Sequence, residues 1–216
     1  GGGAAGSSSG KWVLVMGGPG AGKATHCARL AAKLGCVHLS VEQLMKNAVK
    51  DQSEVGPTPC IAPAPASPPP IPDPRPRSAQ VGRAIADMVK GGKIIPGHIY
   101  VGLLESAISQ RPTATHLIDG FPRSVDSLGL LEDRLGACKC ALYLTCPEAT
   151  MLKRATQRGG AADTSADAVQ RRIRTFHSLT LPVIETLQKR KVMSQVDVSG
   201  GLDQVHAAVC KAYEKL

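Results

Sequence analysis

An α/β fold, a parallel sheet covered by helices on both faces, is predicted by three observations. Strand-length apolar runs alternate with segments of helical period, the first strand is apolar throughout, and a glycine-rich loop joins that strand to a helix. Trp12–Met16, WVLVM, is bulky and apolar at five successive positions, as a strand buried on both faces reads. The loop after it, GGPGAGK, fits the phosphate-binding spacing GxxxxGK. A length of 216 residues suits one domain carrying small appendages.

The elements follow in order. ATHCARLAAKL after Lys23 has helical spacing and predicts a helix over 23–34. Strand 36–39 and helix 41–50 come next, then helices 80–91 and 97–110, then a buried strand over 115–118. A helix near 124–134, strand 139–144 and helix 147–158 precede a long helix over 166–190 that contains Pro182. Strand 192–198 and helix 202–215 close the chain. Residues 1–10, GGGAAGSSSG, read as a flexible leader, and 11–216 as the domain.

The loop carries the first chemistry. Its glycines let several backbone N–H groups face one anion, and the following helix presents its N-terminus to the same place. Gly18, Pro19, Gly20, Ala21, Gly22, Lys23, Ala24 and Thr25 are therefore the candidate residues for a nucleoside triphosphate, with Lys23 as the mobile positive charge. Ala24 stands where a Ser or Thr hydroxyl normally meets magnesium, and Thr25 comes one residue later.

Composition bounds the rest. The net charge of +9 is spread along the chain, and only three Tyr, two Phe and one Trp are available to stack bases. A site holding several phosphates accounts for part of the surplus, and no nucleic-acid partner is expected. Seven cysteines lack any CxxC pair and read as reduced core thiols. No apolar run is long enough to cross a bilayer, so the expectation is a cytoplasmic protein without a membrane partner. Ten of the sixteen prolines fall within residues 57–78, a density that favours extended polyproline conformations and predicts a surface insertion. It reads as a spacer rather than a docking handle for an SH3 or WW module, because neither Arg75 nor Arg77 completes a PxxPxR spacing.

The second motif is Leu117–Arg123, LIDGFPR. A buried strand ends on Asp119, at the end of the sheet where the loop after the first strand also emerges, and Gly120 and Pro122 set the turn that delivers Arg123. Together with GGPGAGKATHC, HLSVEQLM (38–45), VGRAIADMVKGGKIIP (81–96) and the run from LYLTCPEATMLKRATQRGG into VQRRIRTFHSLTLPVIETLQKR, it resembles the adenylate kinase and UMP-CMP kinase family of nucleoside monophosphate kinases. The resemblance covers nearly everything from residue 11 onward except the proline segment.

What the resemblance implies is a P-loop NTPase-type sheet with a small acceptor-binding helical region over about 40–91 and a short lid over about 159–168. It implies transfer of the terminal phosphoryl group of ATP to a nucleoside monophosphate, with Mg2+ and small nucleotides as partners, and the short lid suits a monomer. Lys23 and the loop would hold the donor phosphates, Asp119 would orient the water shell of magnesium without a direct metal ligand, and Arg123 would bind the acceptor phosphate. Arg154, Arg158 and Arg172 fall at the family's remaining arginine positions and would surround the transferring group. Without the family, Arg154 and Arg158, four apart, read equally as a solvated basic face. The acceptor side would comprise Ser40, Lys46, Gly120, Arg123 and Ser127.

Four departures fall on the substrate side. Lys46 replaces an arginine, keeping charge but losing the planar fork. Ser127 replaces the Gln or Asn that reads the base, leaving the base open. GGAADTSADAVQR replaces a lid segment with an arginine and two aspartates, so that Ala161 falls at the arginine and only Asp163 of the pair survives. The proline segment interrupts the acceptor region. An adenylate kinase-like enzyme of lowered rate is expected; the alternative is a nucleotide-binding scaffold that keeps the fold without transferring phosphate.

Overall fold

The computed structural model describes residues 11–53, 85, 95–157 and 164–215. Strands β1 (Trp12–Gly17), β2 (Val37–Ser40), β3 (His116–Asp119), β4 (Ala141–Thr145) and β5 (Met193–Asp197) form one sheet in the order β2-β3-β1-β4-β5. Every pairing is parallel, so each strand is reached by a crossover. The described helices are α1 (Lys23–Leu34), α2 (Val41–Ser53), α3 (Gly97–Ser109), α4 (Val125–Leu135), α5 (Glu148–Gln157), α6 (Ala166–Thr175), α7 (Leu181–Lys189) and α8 (Leu202–Tyr213). No helix among the described residues is long and apolar enough to cross a membrane.

Alternation along β1 divides the interior. Trp12, Leu14 and Met16 point to one face, where Ile118 and Ala141 join them beneath Leu104 of α3, Leu128 and Leu131 of α4 and Val183, Ile184 and Leu187 of α7. Val13 and Val15 point to the other, where Leu117, Leu142 and Leu144 meet Cys27 and Leu30 of α1 and Val205 and Val209 of α8. A strand packed on both faces has no polar side, which is why Trp12–Met16 reads as a continuous apolar run. Trp12 fits because its indole N–H donates to the Leu135 carbonyl at 3.2 Å, leaving no buried donor orphaned. All six described cysteines are free thiols.

Chain order and sheet order diverge at β1, which has β3 on one side and β4 on the other. This reversal opens a crevice at the carboxyl ends of the strands. The sequence-predicted elements hold within a few residues. The expected helix over 166–190 differs in one respect: Phe176–Thr180 is a π-helical turn between α6 and α7. Pro182 explains it. Its nitrogen has no hydrogen to donate and its ring would collide with the carbonyl four residues back. The turn before it widens instead, and the Leu181 N–H donates to the Phe176 carbonyl five residues earlier. The expected helix 80–91 apart from Ile85, the proline segment 57–78, Arg158 and residues 159–163 of the expected lid lie outside the described residues.

Three histidines make stability depend on pH. Burial lowers the affinity of His26, His116 and His206 for a proton, and at His26 the neighbouring His206, Arg29 and Arg154 lower it further. The rings of His26 and His206 stack at a centroid distance of 6.0 Å between α1 and α8. Unfolded histidine protonates near pH 6.5, about where these folded groups still resist the proton. The unfolded state therefore binds more protons below that pH, and this contribution, complete above about pH 6.5, is lost as pH falls. The melting temperature is expected to drop between pH 7.5 and 5.5, with a shallower drop in His26→Gln. A melting temperature independent of pH over that interval would contradict the assignment.

Candidate active site

The phosphate loop is shaped by what lies behind it. Gly20 and Gly22 have φ of +75°, in the region open to glycine, and α1 starts after Gly22 with no side-chain cap and no acidic residue in its first turn. Such an uncapped N-terminus suits an anion. A Cβ on Gly18 would run into the Met151 sulfur, while one on Gly20 would lie 2.5 Å from the Met151 carbonyl oxygen. The first turns of α5 therefore press directly on the loop. A sulfur at the end of a flexible side chain yields, but a helix backbone does not. Gly20→Ala is expected to cost about 2–4 kcal/mol, from strained φ plus overpacking, and Gly18→Ala about 1 kcal/mol. Urea denaturation of both variants checks the difference, and equal costs would refute the backbone contact.

Lys23 folds back over the loop, its ammonium donating to the carbonyls of Gly17 at 2.8 Å and Gly18 at 3.0 Å. In β3 the partner of Val15 is Asp119, which is also the partner of Ser40 in β2. Gly17 lies two residues beyond Val15, which puts it about 8 Å from Asp119 between Cα atoms by strand spacing and rise. Lys23 and Asp119 thus share one rim of the sheet. The Cys27 thiol reports the same proximity: burial raises its pKa most, the Asp119 charge raises it further, and Lys23 opposes both. That thiol is inert for nucleophilic chemistry.

Asp119 is 7 % exposed, and its carboxylate makes no hydrogen bond within the described residues. The His38 imidazole lies beside it, with Nε2 at 3.7 Å from Oδ2, too long for a hydrogen bond. With 9 % of its side chain exposed at the rim, the carboxylate keeps acceptor capacity for an outside donor. Gly120 follows at φ +89° and turns the chain toward Arg123. Arg123 is tied at three points. Its carbonyl accepts from Thr180 Oγ1 at 3.2 Å, its Nε donates to the Gly120 carbonyl at 3.1 Å, and its guanidinium carbon lies 6.0 Å above the centre of the Tyr100 ring.

The remaining predicted residues separate. Ala21 is buried in the loop, Pro19 is half-buried, and Ala24 and Thr25 lie in the first turn of α1, Thr25 exposed. Ser40 ends β2 on the same rim. Lys46 pairs with Glu42 at 2.6 Å on the exposed face of α2. The Ser127 hydroxyl sits 2.9 Å from that of Ser124, whose oxygen caps α4 by accepting the Ser127 N–H. Arg154 reaches the loop after β5, donating to the carbonyls of Val198 at 2.7 Å, Ser199 at 3.3 Å and Gly200 at 3.5 Å. The geometry therefore brings Lys23, Asp119 and Arg123 to one rim and binds Arg154 to backbone carbonyls. Arg172 is exposed on α6, and Arg158 lies outside the described residues.

Several contributors have no signature in the sequence. Phe176 lies 3.6 Å from where a Gly18 Cβ would stand, and Thr180 holds Arg123, so the π-helical turn touches both motifs. Tyr100 and His38 join through tertiary packing alone, His38 from β2, which pairs with the β3 strand of the second motif.

Comparison with known proteins places the chain in one family. A family model described as adenylate kinase matches residues 74–192. The UMP-CMP kinase of Sus scrofa is 31% identical over 216 residues, covering 95% of this chain and 97% of its own length. The uridylate kinase of Saccharomyces cerevisiae is 31% identical over 203 residues, covering 91% and 87%. The UMP-CMP kinase of Homo sapiens is 30% identical over 214 residues, covering 94% and 96%.

Proposed function

We propose that this chain, which belongs to the adenylate kinase family of nucleoside monophosphate kinases, transfers the terminal phosphoryl group of ATP to a pyrimidine nucleoside monophosphate. The observation that carries the reading is the sheet order, which puts the end of β1 with Lys23 and the end of β3 with Asp119 and Arg123 on one rim. Pyrimidine is preferred over adenine because relatives that align along nearly the whole chain are UMP-CMP and uridylate kinases.

Each residue's part follows from its position. The uncapped start of α1 and the loop N–H groups receive the donor phosphates, and the Lys23 ammonium, already beside the loop, offsets charge as it moves to the leaving oxygen. The donor set suits magnesium held through water: Ala24 offers no hydroxyl, while the Asp119 carboxylate has acceptor capacity to spare. Magnesium, when bound with the nucleotide, neutralises the charge of the phosphate oxygens. Arg123 presents its guanidinium to the acceptor phosphate.

The acceptor side supports a lowered rate. Lys46 shares its charge with Glu42, and Ser127 is engaged in a helix cap. Two of the contacts that would hold the monophosphate are thus partly spent. Arg154 is committed to three carbonyls, so its contribution to the transferring group requires those bonds to exchange. The expected lid and a single domain over 11–216 complete the proposal.

A coupled assay of ATP turnover with UMP, CMP and AMP tests it. Turnover with UMP or CMP above that with AMP is expected. ATP binding without turnover for any of the three would replace the reading with that of a nucleotide-binding scaffold.

A further inference from the structure

We propose that Tyr100 is a positioning residue that holds the Arg123 guanidinium ready for the acceptor phosphate. The inference rests on the reading above that Arg123 receives that phosphate.

Tyr100 lies in the first turn of α3, half-buried, with its ring against Phe121 at a centroid distance of 5.4 Å and a tilt of 34°. Phe121 is 3 % exposed and belongs to the core, so it anchors the ring. The same ring carries the Arg123 guanidinium, whose carbon lies 6.0 Å from the ring centre. At that distance the ring quadrupole attracts the cation.

Arginine has many rotamers, and ordering a long side chain costs entropy at the moment of binding. Here the cost is met before substrate arrives. Nε is spent on the Gly120 carbonyl and the cation is held over the Tyr100 ring, while the two terminal nitrogens make no hydrogen bond among the described residues. Those nitrogens form the fork that grips a phosphate at two points. α3 stays close to α4 because Gly97 has no side chain: a Cβ there would stand 3.0 Å from Leu130 and 3.6 Å from the Ser127 hydroxyl. The same approach brings Tyr100 beneath the arginine. The ring thus acts through Arg123, and its hydroxyl is not required.

Steady-state kinetics of the full chain with saturating ATP and magnesium, varying UMP and CMP, test the proposal. Tyr100→Leu should raise the acceptor KM about two- to five-fold, the range of an exposed cation–π contact. The ATP KM and kcat should stay level, and Tyr100→Phe should match the unmodified protein. In an Arg123→Ala background, Tyr100→Leu should have no further effect on acceptor KM, because the coupling partner is gone. An unchanged KM in Tyr100→Leu, or an equal rise in both backgrounds, would overturn it. Should Tyr100→Leu fold poorly, ring-fluorinated phenylalanines at position 100 keep the packing and weaken the ring face, and KM should climb with fluorine count. If the unmodified protein turns over no monophosphate, the proposed function fails while calorimetric binding of UMP, CMP and AMP still reads the same fold-change in Kd. Absence of any monophosphate binding would overturn both.

Discussion

Lys23→Ala will lower kcat by roughly 10²- to 10³-fold, the loss seen when one preorganised donor to transition-state charge is removed. The ammonium lies 2.8 Å and 3.0 Å from the Gly17 and Gly18 carbonyls, at the mouth of the loop and ahead of the α1 N-terminus. A phosphoryl group in flight spreads negative charge over its oxygens, and little besides placement and opposite charge is asked of the protein. The loop N–H groups remain in the variant, so ATP binding should weaken far less than turnover. Loss of the two charged hydrogen bonds also lowers stability, by about 1.5–3 kcal/mol. Lys23→Arg keeps the charge, yet its planar fork does not reproduce a compact ammonium over two carbonyls and should recover only part of the rate. Turnover in Lys23→Ala equal to that of the unmodified protein would remove the loop from the chemistry.

Asp119→Asn will separate stability from activity. The carboxylate is buried, has His38 Nε2 no closer than 3.7 Å and makes no hydrogen bond among the described residues. The variant therefore gives up no hydrogen bond of the carboxylate within the described residues, and an amide of the same shape keeps the packing. The melting temperature without ligands should stay within about 2–4 °C of the unmodified protein, the equivalent of about 1 kcal/mol for a chain of this size. kcat should fall by about 10²- to 10³-fold, because the amide is a poorer acceptor for the waters around magnesium. Lower stability in Asp119→Asn, or an unchanged kcat, would show that the carboxylate serves the fold.

The readable and unreadable parts of the molecule divide by range of interaction. Trp12–Met16 reads as a buried strand, and GGPGAGK as an anion loop, because both patterns act within a few residues. The Ser124 cap and the Glu42–Lys46 pair are equally local, three and four residues apart. Each is visible in principle, yet each falls on a residue first assigned to substrate. A local bond and a substrate role ask for the same polar side chains.

Arg154 marks the opposite limit. Its spacing from Arg158 implies only a helical face, and the resemblance implies a phosphate, whereas its guanidinium lies on carbonyls 44 to 46 residues away. The position of Tyr100 under Arg123, and of Phe176 and Thr180 against the two motifs, likewise depends on helices packing across the sheet.

From the amino-acid order alone came the parallel α/β class, the two phosphate-directed motifs and, among the described residues, the element boundaries to within a few residues, since turn chemistry and hydrophobic period are properties of short segments. Tertiary structure alone decided the order β2-β3-β1-β4-β5, the Met151 backbone against Gly20, the π-helical turn before Pro182 and the ring beneath Arg123. These are outcomes of burying two faces of one sheet at once, a constraint that acts on the whole chain and leaves no mark within any one segment.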